Sequence, residues 1–321
     1  MHSNRKGDVM LKYVLKRLGY ILVTLWVIVT CTFFMMKNLP GTPFDAERFS
    51  IMTPQQQERV LEMYGLNDSL PMQYVKYIKN MLKGDLGTSF TYVNQDVSKV
   101  ITGRLGPSAL IGIQAVLIGL AIGLILGILA AWKHNSGIDY FTMILAVLGV
   151  SVPNFVAAAL LQYYIGLKWG VLPVGFWTGW NCSVLPSIAL SFSATAMVAR
   201  FMRTEMLDVL DQDYIITARA KGLSQMKVLM RHAVRNSILP VVTILGPIVV
   251  NLMTGSLAVE NIFSIPGIGS LFVDCIKAND YPVIMGITIF YAAFYMLVVL
   301  LVDLAYSLID PRIRLAKGKE S

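Results

Sequence analysis

The stretch LGPSALIGIQAVLIGLAIGLILGILAAW, residues 105–132, contains 28 residues and no charged side chain. A helix that crosses the hydrocarbon core of a membrane needs about 20 consecutive, predominantly apolar residues. Residues 105–132 exceed that length and therefore predict a transmembrane helix.

Five more stretches contain no charge and reach the length of about 18 residues that identifies a spanning helix. They are Leu18–Met36, Tyr140–Leu167, Trp169–Ala199, Asn236–Val259 and Tyr281–Val302. Prolines and glycines begin the stretch at Trp169, so its helix is expected nearer residues 183–202. Pro153 is expected to kink the stretch that contains it. The predicted fold is an all-α integral membrane protein with about six transmembrane helices.

The distribution of basic residues predicts the orientation. Of the 27 lysines and arginines, 17 lie in the N-terminal cluster, at Lys133, in residues 200–235 and after Asp310. The long segment 37–104 is balanced, with eight basic and seven acidic residues. Because cytoplasmic loops carry the excess of basic residues, both termini are predicted to be cytoplasmic. This topology explains the net charge of +8, so no nucleic-acid partner is indicated.

The segment between the first two spans is expected to form a small helical region outside the membrane. Thr53, Pro54 and Gln56 form a helix start, and Gly65 is expected to end that helix. A second helix fits Pro71–Lys83, with its apolar side chains on one face. The region is either a structural cover over the helix ends or a docking surface for an external protein.

The basic loop after the fourth span is expected to hold two short helices. The first begins at Gln212 and continues up to Gly222, which is expected to stop it in a left-handed conformation, and Ser224 is expected to cap the second. In the second helix Lys227, Arg231 and Arg235 recur on one face. This helix is expected to lie on the membrane surface until Leu239-Pro240 opens the fifth span.

No catalytic constellation is present in the sequence. There is no phosphate-binding glycine loop, no GxSxG and no HExxH motif. Asp139, Glu260 and Asp303 lie at span ends, where water is expected to reach them. Cys31, Cys182 and Cys275 show no metal-site spacing and are expected to be free thiols, although Cys182 and Cys275 could both face outward and form a bridge. The chain is predicted not to be an enzyme.

Several motifs resemble ABC importer permeases of the peptide and nickel branch. Asp213–Gly222 with the downstream Leu239-Pro240 is similar to their conserved cytoplasmic loop, although Ile216 stands where the general importer pattern has glutamate. Glu260–Gly269 resembles the E-x-x-F-x-x-P-G-x-G element that follows the fifth span. Further similar segments are Leu39-Pro40-Gly41, Gly84-Asp85-Leu86-Gly87 with Ser89, and Asp303 through Asp310-Pro311-Arg312-Ile313-Arg314. These features are most like the B-type subunit of oligopeptide importers, and they cover almost the whole chain.

The resemblance implies a fold like that of type I ABC importer permeases and a non-enzymatic role. A homologous C-type permease subunit would pair with this chain around a translocation path within membrane lipid. Two cytoplasmic ATPase subunits would hold ATP and Mg, with no cofactor on this chain, and an extracytoplasmic binding protein would deliver the peptide. The implied coupling residues are Asp213, Tyr214, Thr217, Ala218, Arg219, Ala220, Lys221 and Gly222.

Two features have both a structural and a functional interpretation. The turn element with Glu260, Phe263, Pro266, Gly267 and Gly269 is expected to be a structural hairpin, and an outer gate is the second interpretation. Small residues in the second span suit either a pore between subunits or packing within the chain, which is favoured. They are Gly119, Ala121, Gly123, Gly127, Ala130 and Ala131.

The predicted division of the chain follows from these assignments. Residues 1–36 form the cytoplasmic N-terminus and first helix, and residues 37–105 the extracytoplasmic region. Residues 106–310 form a permease core of five transmembrane helices that includes the coupling loop 203–238, and residues 311–321 form the cytoplasmic tail. The predicted location is the plasma membrane of a bacterium.

The leading function is the permease of an ATP-driven oligopeptide importer. Permeases for dipeptides or nickel in the same branch are alternatives, and the absence of histidine from the spans mildly disfavours nickel. A stand-alone secondary transporter is a further alternative, but it predicts intramembrane charges or an inverted repeat, and neither is evident.

Overall fold

The computed structural model describes residues 2–38, 49, 51–63, 65–92, 94–253 and 257–309. The motif Leu39-Pro40-Gly41, the C-terminal Asp310-Pro311-Arg312-Ile313-Arg314 motif and the predicted tail 311–321 lie outside the described residues.

The described residues are mostly helical and contain no β-strand; Thr88 and Asp96 form an isolated antiparallel bridge. The α-helices that frame the protein are α1 His2–Lys37, α2 Pro54–Met63, α3 Leu70–Met81, α4 Val97–Trp132, α5 Gly137–Ser151, α6 Asn154–Leu161, α7 Val184–Leu210, α8 Asp213–Ala220, α9 Gln225–Val228, α10 Arg235–Met253, α11 Leu257–Ile262, α12 Ile268–Lys277 and α13 Tyr281–Ile309. The prediction of an all-α fold is therefore confirmed.

Five described segments are long and apolar enough to cross a membrane, and a sixth arises if the bent pair α5 and α6 is one span. The five are Leu15–Lys37, Val97–Trp132, Trp180–Leu210, Gln225–Ile262 and Tyr281–Val302. The predicted count of about six is confirmed, as is the late start of the fourth span.

The predicted kink of the third span at Pro153 is confirmed, and it is larger than a bend within one helix. The helix breaks there: α5 ends at Ser151 and α6 starts at Asn154, with an angle of 101° between them. Pro153 has no N–H and cannot continue the hydrogen-bonded ladder of α5. A π-helical turn, Gln162–Lys168, then extends α6.

The chain divides into two compact units, and the first comprises residues 1–106 and 270–296. In it α1 packs on α3, where the Thr30 hydroxyl lies 2.7 Å from the Tyr74 hydroxyl and the Phe33 ring makes an edge contact with Tyr74. The predicted cap of α2 is confirmed: the Thr53 backbone N–H donates to Gln56 Oε1 at 2.9 Å, and Gly65 has a φ of +65°. The sequence chemistry of this segment therefore sets its helix ends.

Asp280 organises the segment that precedes α4 in the first unit. Its buried carboxylate accepts hydrogen bonds from the Ser89 hydroxyl and from the backbone N–H of Thr91, the latter at 3.0 Å. Cys275 is buried in the same unit, and burial raises the pKa of its thiol to about 12. All three cysteines are free thiols, as predicted.

The second unit comprises residues 107–269 and 297–321 and is built around α7. The glycines of α4 face this helix: a Cβ on Gly123 would lie 2.7 Å from Val198 Cβ, and one on Gly127 would lie 2.6 Å from the Ala199 carbonyl oxygen. The favoured interpretation of these glycines, close packing within the chain, is confirmed.

The transition into the fifth span also differs from the prediction. No separate surface helix ends at Leu239-Pro240, because a π-helical turn at Leu229–Val234 joins α9 to α10 and Pro240 lies inside α10. A helix tolerates an internal proline when neighbouring helices and hydroxyl side chains satisfy the freed backbone groups. Within α10 the Thr243 hydroxyl also donates to the Pro240 carbonyl at 2.6 Å.

Candidate functional site

The first candidate site is α8 and the turn that ends it. The Leu223 N–H reaches the Ala218 carbonyl at 3.4 Å, and the Gly222 N–H donates to the Arg219 carbonyl at 3.0 Å. Gly222 has a φ of +78°. These three features form a Schellman motif, in which a left-handed residue stops a helix and satisfies its last carbonyls. The predicted helix stop at Gly222 is therefore confirmed.

The inner face of α8 packs against its own chain. Ile215 and Ala218 are buried with Val228 of α9, and Leu223 covers this cluster from the turn. A contact between the residue after the left-handed position and the last helical turn commonly accompanies a Schellman motif. Ala218, predicted as a coupling residue, is thus a support for the helix and is 6% exposed.

The outer face of α8 carries the remaining predicted coupling residues. They are exposed and comprise Asp213, Tyr214, Thr217, Arg219, Ala220, Lys221 and Gly222. Ile216 projects from the same face and is 58% exposed, and Met226 and Met230 are exposed on the following segment. Exposed apolar side chains rimmed by polar ones are typical of protein–protein contact surfaces.

The prediction that Ser224 caps the helix after α8 agrees with the structure only in part. Ser224 occupies the N-cap position of α9, but its side chain makes no capping hydrogen bond. Lys227, Arg231 and Arg235 are exposed, whereas Val228 and Leu229 are buried. The predicted basic face is therefore present on the surface.

The second candidate site is the turn between α11 and α12, which contains the Pro266-Gly267 pair as predicted. Glu260 is 1% exposed, and its carboxylate accepts a hydrogen bond from the Ser108 hydroxyl at 2.7 Å. The Ile268 N–H donates to the same hydroxyl oxygen at 2.8 Å. Ser108, which the sequence interpretation missed, therefore links α4 to both ends of the turn.

The two glycines of this element leave room for the Glu260 carboxylate. A Cβ on Gly267 would lie 2.3 Å from Glu260 Oε2, and one on Gly269 would lie 3.0 Å from it. Phe263 is buried, and its carbonyl accepts from the Phe176 N–H at 2.9 Å. The spacing of Glu260, Phe263, Gly267 and Gly269 is therefore explained by the packing of one turn.

A third cluster, centred on Asp139, was not predicted. Arg203 Nε and Nη2 donate to the two carboxylate oxygens of Asp139 at 2.6 and 2.8 Å, and His134 Nδ1 lies 3.0 Å from Asp139 Oδ2. Asp139 is 2% exposed. Paired Arg–carboxylate bonds of this kind fix two elements in one geometry, here α5 and α7.

The expectation that water reaches Asp139 and Glu260 is wrong, since both side chains are buried. Each is stabilised by hydrogen-bond partners from another element, as buried charged groups require. The side chain of Asp303 lies outside the described residues. The sequence did contain a sign of the Asp139–Arg203 pair, since the two residues carry opposite charges and lie at the predicted cytoplasmic ends of two spans.

Among the residues that the structure describes, no group of three or more His, Cys, Asp or Glu side chains could hold a metal ion.

Comparisons with known proteins agree with the fold and the motifs. The family described as "Binding-protein-dependent transport system inner membrane component" matches residues 123–315, and its N-terminal counterpart matches residues 10–107.

Two relatives span nearly the whole chain. The dipeptide transport system permease of Lactococcus lactis subsp. cremoris is 46% identical over 306 residues, covering 95% of this chain and 100% of the relative. The oligopeptide transport system permease of Haemophilus influenzae is 39% identical over 307 residues, covering 95% of this chain and 100% of the relative.

A crystal structure of an amino acid ABC transporter matches the fold, with a TM-score of 0.50 and 19% sequence identity over 67% of this chain and 94% of that one. The chain therefore belongs to the family of binding-protein-dependent transport system inner membrane components, the permease subunits of bacterial ABC importers.

Proposed function

We propose that this chain is the B-type permease subunit of an ATP-driven, binding-protein-dependent peptide importer and forms half of the translocation path. The main observation for this proposal is the packing of α8. One face of this short helix is buried against its own chain, and the other face exposes Ile216, Arg219 and Lys221. Its place in a permease family makes this surface the proposed contact for the ATPases.

The coupling mechanism follows from how α8 is held. Ile215 and Ala218 fix the helix on α7 and α9, so a force on its outer face is transmitted to the long helices. Asn236 Nδ2 donates to the Tyr214 hydroxyl at 3.1 Å and connects α8 to α10 directly. ATP-driven closure of the ATPases would thereby move α7 and α10.

The remaining assembly is proposed from the same resemblance. A C-type permease subunit, two ATPase subunits that hold ATP and Mg, and an extracytoplasmic peptide-binding protein complete the importer. Both termini, the loop 203–238 and the tail 311–321 are assigned to the cytoplasm, and residues 37–105 to the outer side.

The turn from Glu260 to Gly269 is proposed to be a structural element, and a role as a gate is the second interpretation. A buried carboxylate that fills the space above two glycines favours one fixed conformation. Movement of this turn would first have to break the Ser108 hydrogen bonds.

Oligopeptides and dipeptides are proposed as substrate classes of equal standing. The 46% identical relative is a dipeptide permease and the 39% identical relative is an oligopeptide permease. Nickel is a weaker candidate from the same branch, and an uptake assay with radiolabelled nickel tests it alongside the peptides.

Competition separates the peptide classes. Cells without other peptide importers would express the complete set of subunits, and unlabelled peptides of two to six residues would compete with a labelled tripeptide. An oligopeptide importer is expected to be inhibited best by the longer peptides, and a dipeptide importer by the dipeptides. Equal inhibition by free amino acids would contradict peptide transport.

Crosslinking tests the proposed coupling surface. A photoreactive residue at Ile216 is expected to crosslink to an ATPase subunit in the assembled complex. The control position is Phe141, an exposed apolar residue of α5. Crosslinks to the ATPase from Phe141 but not from Ile216 would contradict the assignment.

A further inference from the structure

The contact between α5 and α7 is a seam of small side chains. Thr142 and Ala146 of α5 are buried, and Gly149 follows on the same helix face. A Cβ on Gly149 would lie 3.0 Å from Ala196 Cβ and 3.0 Å from the Phe192 carbonyl oxygen, both on α7. Small residues let two helix backbones approach closely. They also project little, so few side chains oppose movement of one helix along the other.

Asp139 closes this seam at one end. It precedes Thr142 by three residues and therefore lies on the same face of α5. Its carboxylate binds Arg203 of α7 through both oxygens, and Oδ2 also accepts a hydrogen bond from the Asn135 backbone N–H at 3.0 Å. Asn135 has a φ of +58° and lies in the turn that joins α4 to α5. One carboxylate thus fixes that turn, α5 and α7 relative to one another.

Stability alone does not explain this largely buried pair. Removal of two charges from water is costly, and well-packed apolar residues of similar volume often give equal or greater stability than a buried ion pair. Apolar residues do not supply direction, whereas the guanidinium fork fits the two carboxylate oxygens in one geometry. The small side chains of the seam leave the register of α5 on α7 open to change, and the pair Asp139–Arg203 fixes it.

Arg203 lies close to the proposed coupling element. The buried face of α8 packs against Val209 and Leu210, in the last turn of α7. Arg203 precedes Val209 by about 9 Å along the axis of α7, because an α-helix rises 1.5 Å per residue. A displacement of α8 therefore reaches Arg203 through the end of a single helix, and it reaches α5 through Asp139.

We propose that Arg203 is a positioning residue for the coupling step. Its pair with Asp139 fixes the register of α5 on α7, so that the α4–α5 turn, α5 and α7 follow α8 as one body. Without the pair, α7 slides along the seam, and ATP is hydrolysed without the full movement of α5. This inference rests on the proposed function and names the residues that transmit the displacement.

Spin-label distances test whether the register is fixed. In the complete importer the three native cysteines are replaced by alanine, and labels are attached at Leu148→Cys on α5 and Asp208→Cys on α7. Both positions are exposed, and they lie towards opposite ends of the seam, so sliding changes the separation of the labels. The separation is expected to be the same without nucleotide and with ATP and vanadate. In Arg203→Met it is expected to differ between the two states.

The ATP hydrolysed for each peptide imported is a readout that a merely structural role would not move. Arg203→Met leaves a buried carboxylate without its partner, whereas the double variant with Asp139→Asn buries no unpaired charge and keeps an acceptor for the Asn135 N–H. The double variant is expected to melt at a higher temperature than Arg203→Met. Its ATP-to-peptide ratio is nevertheless expected to stay at least about twofold above that of the parent protein, as for a lost coupling interaction. Arg200→Met, at an exposed arginine one turn earlier on α7, is the matched control and is expected to leave the ratio unchanged.

The outcomes separate this inference from the proposed function. A double variant whose ATP-to-peptide ratio returns to the parent value as its stability recovers overturns the inference, because the pair would then serve stability alone. An equal response of the label separation in the parent protein and in Arg203→Met overturns it as well. If the parent complex imports no peptide, the proposed function fails, whereas the label separation is measured without peptide and still decides whether the pair fixes the register.

Discussion

Replacement of Gly222 separates two reasons why a glycine would end α8. Gly222 has a φ of +78°, in the left-handed region, and a Cβ added there would have no atom within 4 Å. Space around the residue is therefore not limiting, and the cost of a side chain is conformational. For a residue with a Cβ the left-handed conformation costs about 1–2 kcal/mol.

That cost predicts the size of the effect. A free-energy change of about 1–2 kcal/mol lowers the ratio of intact to disrupted turn by a factor of about 5–30. Gly222→Val carries the full cost, since a β-branched residue is the least tolerant of positive φ. Gly222→Asn is the matched control, because asparagine adopts the left-handed conformation more readily than other residues.

The assay is ATP-dependent peptide uptake by proteoliposomes that contain the complete importer. At equal amounts of assembled complex, Gly222→Val is expected to lower uptake, by up to about 30-fold, while Gly222→Asn stays near the parent protein. If asparagine impairs uptake as strongly as valine, the requirement is for a missing side chain at a partner contact, and the conformational argument is refuted.

Three further perturbations follow from the packing. Gly123→Ala places a Cβ 2.7 Å from a side-chain atom of α7, so overpacking is expected to cost about 1–3 kcal/mol in thermal unfolding. Gly19→Ala, with no neighbour within 4 Å, should leave the melting temperature unchanged, and equal effects would contradict the packing. Arg203→Ala leaves the buried Asp139 carboxylate without its guanidinium and is expected to lower the free energy of unfolding by about 3–5 kcal/mol. The double variant with Asp139→Ala is expected to recover part of that loss. A double variant less stable than Arg203→Ala would count against this. Burial raises the pKa of Cys275 to about 12, so at pH 8 its thiol stays protonated and iodoacetamide should modify it only after denaturation; modification in the folded protein at the denatured rate would contradict this.

The sequence predicted best those features that local chemistry determines. The start of α2 at Thr53 and Pro54 and the stop of α8 at Gly222 depend on side chains and backbone angles within a few residues. The span count followed from hydropathy, because a membrane requires long uncharged helices.

Features that depend on tertiary contacts were not predictable in this way. Pro153 marked where the third span lacks a hydrogen bond, but the 101° angle depends on what α6 packs against. Pro240 looked like a helix start because proline favours that position, yet α10 continues through it. The pair Asp139–Arg203 joins residues that are 64 positions apart.

The candidate sites show the same contrast. The exposed residues of α8 followed from the motif, whereas the burial of Ala218 needed the contact with α9. The pattern of Glu260 with Gly267 and Gly269 was evident in the sequence, but its reason is spatial: the carboxylate occupies the volume that side chains at those glycines would fill.

The dependence of peptide uptake on the partner ATPases tests the importer assignment most directly. The experiment compares two kinds of proteoliposome. One contains the complete set of subunits, with ATP on the side of the membrane where the ATPases lie, and the other contains this chain alone. Uptake of a labelled peptide is expected only with the complete set, and only with ATP and the binding protein present. Peptide uptake by this chain alone at the same rate would contradict the assignment and identify a stand-alone transporter.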